Sequence, residues 1–109
     1  MPTPVVFVLH NHQPVGNFPE VFEACFATAY APFLAVLERH PRARVGLHIT
    51  GPLLEWLHQY QPAYLARVRA LVARGQVEVL GGGMYEPILS VIPEADRDGQ
   101  LARLRAAVT

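Results

Sequence analysis

The sequence predicts an α/β fold built on parallel strands, and three observations carry that prediction. Short β-branched runs alternate with longer stretches whose apolar residues recur every three or four positions. That order, strand then helix repeated, is expected of parallel strands joined by right-handed crossovers. Each predicted strand also keeps one uniformly apolar face, while its other face collects histidines and a carboxylate. Finally, the stretch from Gly75 to Leu89 runs a strand carrying Glu78 into three consecutive glycines.

Val5 to Leu9 reads as the first strand from its β-branched and aromatic content. It leads into the polar loop His10-Asn11-His12-Gln13-Pro14. Phe18, Val21, Phe22, Cys25, Phe26 and Ala29 then recur at helical spacing. Pro32 is expected to interrupt that helix and to open a second short one carrying Phe33, Leu34 and Leu37, which ends at His40-Pro41. Val45 to Ile49 is the second strand. Thr50-Gly51-Pro52 starts a helix with Leu53, Leu54, Leu57 and Tyr60 on its apolar stripe, and Pro62 opens its continuation through Tyr64, Leu65, Val68, Leu71 and Val72. Gly75 suits a left-handed helix C-cap. Val77 to Leu80 form the third strand, and Gly81 to Gly83 allow a sharp turn at its end. Pro93-Glu94-Ala95-Asp96 reads as a first helical turn, with acids near the positive end of the dipole; Leu101, Leu104 and Val108 continue it.

Successive strand residues point to opposite faces. Val5, Phe7 and Leu9 share one face of the first strand, and Val6, Val8, His10 and, if the strand stays regular, His12 share the other. Val45, Leu47 and Ile49 lie opposite Gly46 and His48; Val77 and Val79 lie opposite Glu78. The apolar faces suit packing under helices. The polar face places His10, His12, His48 and Glu78 mostly near strand C-terminal ends, where α/β barrels and open sheets build their sites. Parallel sheets are normally covered on both faces, and the predicted helices suffice for one. The chain therefore reads as the first part of a larger barrel, with a small doubly wound domain as the alternative.

The bounds are broad. The 109 residues suffice for one domain of modest size. Lys+Arg and Asp+Glu are equal at 9 each, so no net charge steers the chain to nucleic acid or to an anionic membrane. The Met1-Pro2-Thr3-Pro4 start lacks the basic residues of a signal peptide, and the apolar run from Val5 to Leu9 is too short to span a bilayer. The lone Cys25 rules out an internal disulfide and fits a reducing, cytoplasmic setting. It sits on an apolar helical stripe and reads as a core filler rather than a nucleophile.

The residues alone leave the chemistry open. His10-x-His12, with His48 and Glu78 on neighbouring strands, suits a metal site, a polar-ligand site such as a sugar, or hydrogen-bonded structural histidines. Glu78, on an otherwise apolar strand, must face a polar cleft or find a partner. The triple glycine is not a dinucleotide fingerprint, since no G-x-G-x-x-G is present and no helix follows directly. Tyr85 and Glu86 fall on the loop beyond it, where an aromatic beside a carboxylate suits stacking on a sugar ring.

Three blocks carry a resemblance. His10 to Phe18 (HNHQPVGNF), Thr50 to Trp56 (TGPLLEW), and Gly75 to Glu78 (GQVE) with Tyr85 to Leu89 (YEPIL) resemble, in this order and at these spacings, glycoside hydrolase family 57. The likeness is to its 4-α-glucanotransferase and α-amylase-like branch and extends over essentially all 109 residues. It implies an incomplete seven-stranded (β/α) barrel acting on α-1,4-glucans or maltooligosaccharides with retention of configuration. It implies that His10, His12 and Glu78 line the sugar site, in a substrate-binding set with Gln13, His48, Tyr85 and Glu86. Retaining chemistry uses two carboxylates about 5 Å apart and no metal. The resemblance places both on later motifs, so no catalytic residue and no cofactor is expected in this chain, and turnover by it alone is not expected. The remaining partner expected is the missing remainder of the barrel, or a second copy through exposed sheet edges. Two rival readings stay open: a metal-dependent carbohydrate deacetylase-like barrel using His10, His12 and His48, and a non-catalytic protein that binds glucan or a partner.

Overall fold

A computed structural model describes all 109 residues. Its three strands, β1 (Val8–Asn11), β2 (Val45–Ile49) and β3 (Val77–Val79), form one parallel sheet in the order β1-β2-β3. Between β1 and β2 runs a helix in three parts: α1 (Pro19–Cys25), a π-helical turn (Phe26–Tyr30) and α2 (Ala31–Arg39). Helices α3 (Gly51–Tyr60) and α4 (Pro62–Ala73) connect β2 to β3, and α5 (Glu94–Val108) follows a long loop. The predicted α/β order and parallel pairing hold.

The first strand begins three residues later than expected. β2 starts at Val45, and pairing begins with Val8 opposite Gly46. The Phe7 carbonyl still accepts the Gly46 N–H at 2.9 Å, but Val5 and Val6 have no ladder partner and are 87% and 84% exposed. β3 likewise stops at Val79, although Leu80 N–H still reaches the Leu47 carbonyl at 2.9 Å.

Pro32 sits in the first turn of α2, as expected, but the interruption before it is a π turn rather than a break in the helical path. Its ring would press on the carbonyl four residues back and it has no N–H to donate. The widened π turn just before it accommodates both, with Ala31 N–H bonded to the Phe26 carbonyl five residues earlier. The helix from Pro19 to Arg39 is, by length and composition, long and apolar enough to cross a bilayer. Its Phe22, Tyr30, Leu34 and Leu37 belong to the protein core.

That core lies on one side of the sheet. Val45, Leu47, Ile49 and Val77 meet Leu34, Leu37, Leu53, Leu57, Leu71 and Leu104, all buried. Trp56 stacks on Phe22 at 5.6 Å between ring centres and leans on Phe26. The opposite sheet face carries Val8, His10, Gly46, His48 and Glu78, none of them buried. The molecule is accordingly a slab of 42 × 41 × 20 Å. Its accessible surface is 7172 Å², against roughly 6,000 Å² for a closed monomer of this mass.

Candidate functional site

The C-terminal ends of β1 and β2 bring His10 and His48 level, since the ladder pairs them directly. Their Nδ1 atoms lie 2.8 Å apart and their rings stack at 4.9 Å with 10° between planes. Glu86 joins them from the loop after β3. One carboxylate oxygen lies 2.8 Å from His10 Nε2, and the other contacts His12 Nδ1. The backbone of Glu86 has φ 53°, a left-handed conformation that non-glycine residues adopt at a cost and that clusters at functional sites.

The contacts constrain the protons. A Glu86 carboxylate accepts from His10 Nε2–H, so neutral His10 presents a bare Nδ1, and His48 Nδ1–H donates to it. Burial holds the His48 pKa below the ordinary imidazole value; proximity to His10 adds to this and Glu86 partly opposes it. A neutral His48 suits that donor role.

The loop geometry that delivers Glu86 depends on two glycines. A Cβ at Gly82 would lie 3.3 Å from His48 Nε2, and one at Gly83 would lie 2.4 Å from the Pro87 ring. The triple glycine thus serves close approach, as the sequence suggested. Gln100 of α5 clasps the same loop: its carbonyl accepts Met84 N–H at 3.1 Å and its side-chain oxygen accepts Tyr85 N–H at 2.8 Å.

Gln13 is buried, and its carboxamide is committed to the protein. Its Nε2 donates to the Tyr30 hydroxyl at 3.0 Å, and its Oε1 accepts from Asn17 Nδ2 at 2.8 Å. Its backbone N–H donates to Thr50 Oγ1 at 3.2 Å, and Thr50 returns a bond to the Gln13 carbonyl at 3.3 Å. The Tyr30 hydroxyl donates to the His12 carbonyl at 3.3 Å. Burial raises the Tyr30 pKa, so the phenol stays protonated for this bond. Gln13 therefore braces the segment that presents His12.

Glu78 stands apart. Its strand register is Gly46, two residues before His48, its side chain is exposed, and it makes no ion pair or side-chain hydrogen bond. The carboxylate that meets the histidines is Glu86. Tyr85 is exposed, with the Arg103 guanidinium 5.2 Å from its ring centre. Tyr85 and Glu86 flank a recess of about 120 Å³ whose other walls include His12, Gln13, Pro14, Thr50 and Pro52. Tyr30 and Gln100 went unnoticed in the sequence, because nothing local marks a helix residue that will reach a distant loop, and Thr50 was read only as the start of a helix and of a motif block.

The chain matches the model of glycosyl hydrolase family 57 over residues 6–109. It is 46% identical over 100 residues to a 4-alpha-glucanotransferase of Thermococcus litoralis, covering 92% of this chain and 15% of that protein. It is 47% identical over 100 residues to an alpha-amylase of Pyrococcus furiosus, with the same coverage. The crystal structure of 4-alpha-glucanotransferase from Thermococcus litoralis superposes with a TM-score of 0.90 at 46% identity, over 93% of this chain and 16% of that one. The chain thus spans about one-seventh of these relatives, and by its sequence and its fold it belongs to glycosyl hydrolase family 57.

Proposed function

We propose that this chain forms the first βαβαβα portion of a (β/α) barrel that processes α-1,4-glucans in the cytoplasm, by hydrolysis or by transfer. The observation that carries the reading is the clasp of Glu86 on His10 and His12, raised at the C-terminal ends of parallel strands in a family 57 chain. His10, His12, His48 and Glu86 offer donors and acceptors to the hydroxyls of one sugar ring, and Tyr85 offers a face for stacking. Gln13 acts by holding the His12 segment. Glu78, exposed here, takes its place at the sugar once further strands enclose the open sheet face. Hydrogen bonds of this kind orient the ring and strengthen as its transition state forms.

The bond-breaking carboxylates belong to the remainder of the barrel, so the chain alone does not turn over glucan. The excess surface, roughly 1,100 Å² over a closed monomer, matches the open face and the two free sheet edges that the remainder would cover. The test is a chimera. This chain replaces the matching segment of the Thermococcus litoralis 4-alpha-glucanotransferase, and the product is assayed on maltotriose. Activity in the chimera, with none in this chain alone, is the expected result. A folded chimera inert on maltooligosaccharides would overturn the proposal.

A further inference from the structure

The site has a donor set that the sugar reading does not use up. One ligand atom from each of His10, His48 and Glu86 lies within 4.8 Å of the other two. The residues come from three separate elements, β1, β2 and the loop after β3. Two imidazole nitrogens and one carboxylate oxygen, with room for a fourth ligand from solvent, are the donors of an open Zn²⁺ site. We propose that His10, His48 and Glu86 bind a borderline divalent cation of the Zn²⁺ class, and that this ion competes with glucan for the cluster.

The distances allow it with small movements. Ligand atoms around a tetrahedral zinc at about 2.0–2.1 Å lie roughly 3.3 Å from one another. The His10 and His48 nitrogens, now 2.8 Å apart, must part slightly. The wider separations, up to 4.8 Å, must close. His10 is half-exposed, and to bind the ion its ring must exchange its contacts with His48 and Glu86 for the metal. Glu86 keeps one oxygen on His12 while the other turns to the ion, so His12 orients the carboxylate without touching the metal. Gly82 approaches His48 at Nε2, which leaves the Nδ1 atom for the ion. The ion plays no part in a two-carboxylate glycosidase step. It occupies the residues that would orient the sugar, and its effect is inhibition.

The test is calorimetric titration of the chelator-stripped chain with Zn²⁺. One site per chain is expected, with a dissociation constant in the micromolar range or tighter, and no comparable binding of Mg²⁺, which prefers all-oxygen octahedral sites. Glu86→Ala and His10→Ala should each weaken Zn²⁺ about tenfold or more, while His40→Ala, remote from the cluster, should leave it unchanged. Circular dichroism checks that each variant keeps the fold; a variant that unfolds is replaced by Glu86→Gln or His10→Phe. Binding no tighter than millimolar, or equal binding by the His10 and Glu86 variants, would overturn the site. Maltotriose at saturation should weaken Zn²⁺ binding to the chimera. This arm rests on the glucan reading. Zn²⁺ binding that maltotriose leaves unchanged would refute the competition while the metal site stands, and inhibition arises only if the sites coincide.

Discussion

His10 and His48 meet through their Nδ1 atoms at 2.8 Å because the parallel ladder pairs these two residues with each other. The contact is a product of strand register rather than of any loop. A slip of one residue would turn every side chain of β1 to the opposite face, burying His10 and exposing Leu9. The apolar partner of each strand therefore guards the histidine pair. Four predictions follow from contacts of this kind.

Replacing Tyr30 by Phe removes a hydroxyl that accepts from Gln13 and donates to His12. The buried Gln13 Nε2 is then left without that partner. A loss of about 1–3 kcal/mol is expected in urea unfolding. In a double-mutant cycle, Gln13→Leu should cost far less in the Tyr30→Phe background than alone. Additive losses would show that the two groups do not act together.

Gly51 opens α3 in direct contact with the loop below Glu86. Its N–H bonds the Met84 carbonyl at 3.0 Å, and a Cβ there would lie 2.1 Å from that same oxygen. Ala ordinarily favours a helix over Gly by about 1 kcal/mol. Here the clash is with backbone, so Gly51→Ala should destabilise by about 1–3 kcal/mol. A thermal midpoint at or above that of the parent would contradict this.

Leu104 is fully buried and is the core anchor of α5. Leu104→Ala should cost about 2–5 kcal/mol. Because Gln100 of the same helix holds Met84 and Tyr85, amide exchange in residues 84–86 should accelerate as well. A stability loss with unchanged exchange in that loop would separate the helix from the site.

Arg67 of α4 grips Glu38 of α2 with two bonds of 2.8 Å. The Arg67 hydrogen bond holds the Glu38 carboxyl below its ordinary pKa. A depressed carboxyl stabilises the fold at pH above its unfolded value near 4.5, and that contribution disappears as pH falls through the folded value. The pair is partly exposed and screened, so Glu38→Gln should cost about 1 kcal/mol or less at pH 7. The difference between parent and variant should shrink toward zero as pH falls through the depressed folded value. A gap that widens on acidification would reverse the sign.

What the sequence made legible follows the range of the interactions involved. β2 emerged with its observed bounds because Val45, Leu47 and Ile49 are buried on a central strand, where local pattern and final environment agree. β1 is an edge, and its start was set by where β2 begins rather than by Val5 to Phe7 themselves. Pro32 signalled a break, but a π turn absorbed it, an option that residue types do not announce. The histidines were found by parity. The carboxylate beside them was assigned to Glu78 as well as Glu86, and only Glu86 reaches the cluster. Its position depends on a left-handed backbone beyond three glycines, and loop paths of that sort leave no periodic trace. Gln13 was read as facing a ligand, because its partner Tyr30 lies 17 residues away on a helix.

The widened turn at Phe26–Tyr30 also makes the helix between β1 and β2 intolerant of changes in length. Each residue added to or removed from a helix rotates everything beyond it by about 100°. Phe22 before the turn and Leu34 and Leu37 after it all point into the core, so the extra residue in that turn keeps two segments in phase. Deleting Ala27 would restore an ordinary helix and swing one segment's apolar stripe into solvent, which should appear as loss of cooperative unfolding. Sequence drift in this helix is thereby confined to exchanges of side chain, with its residue count held constant.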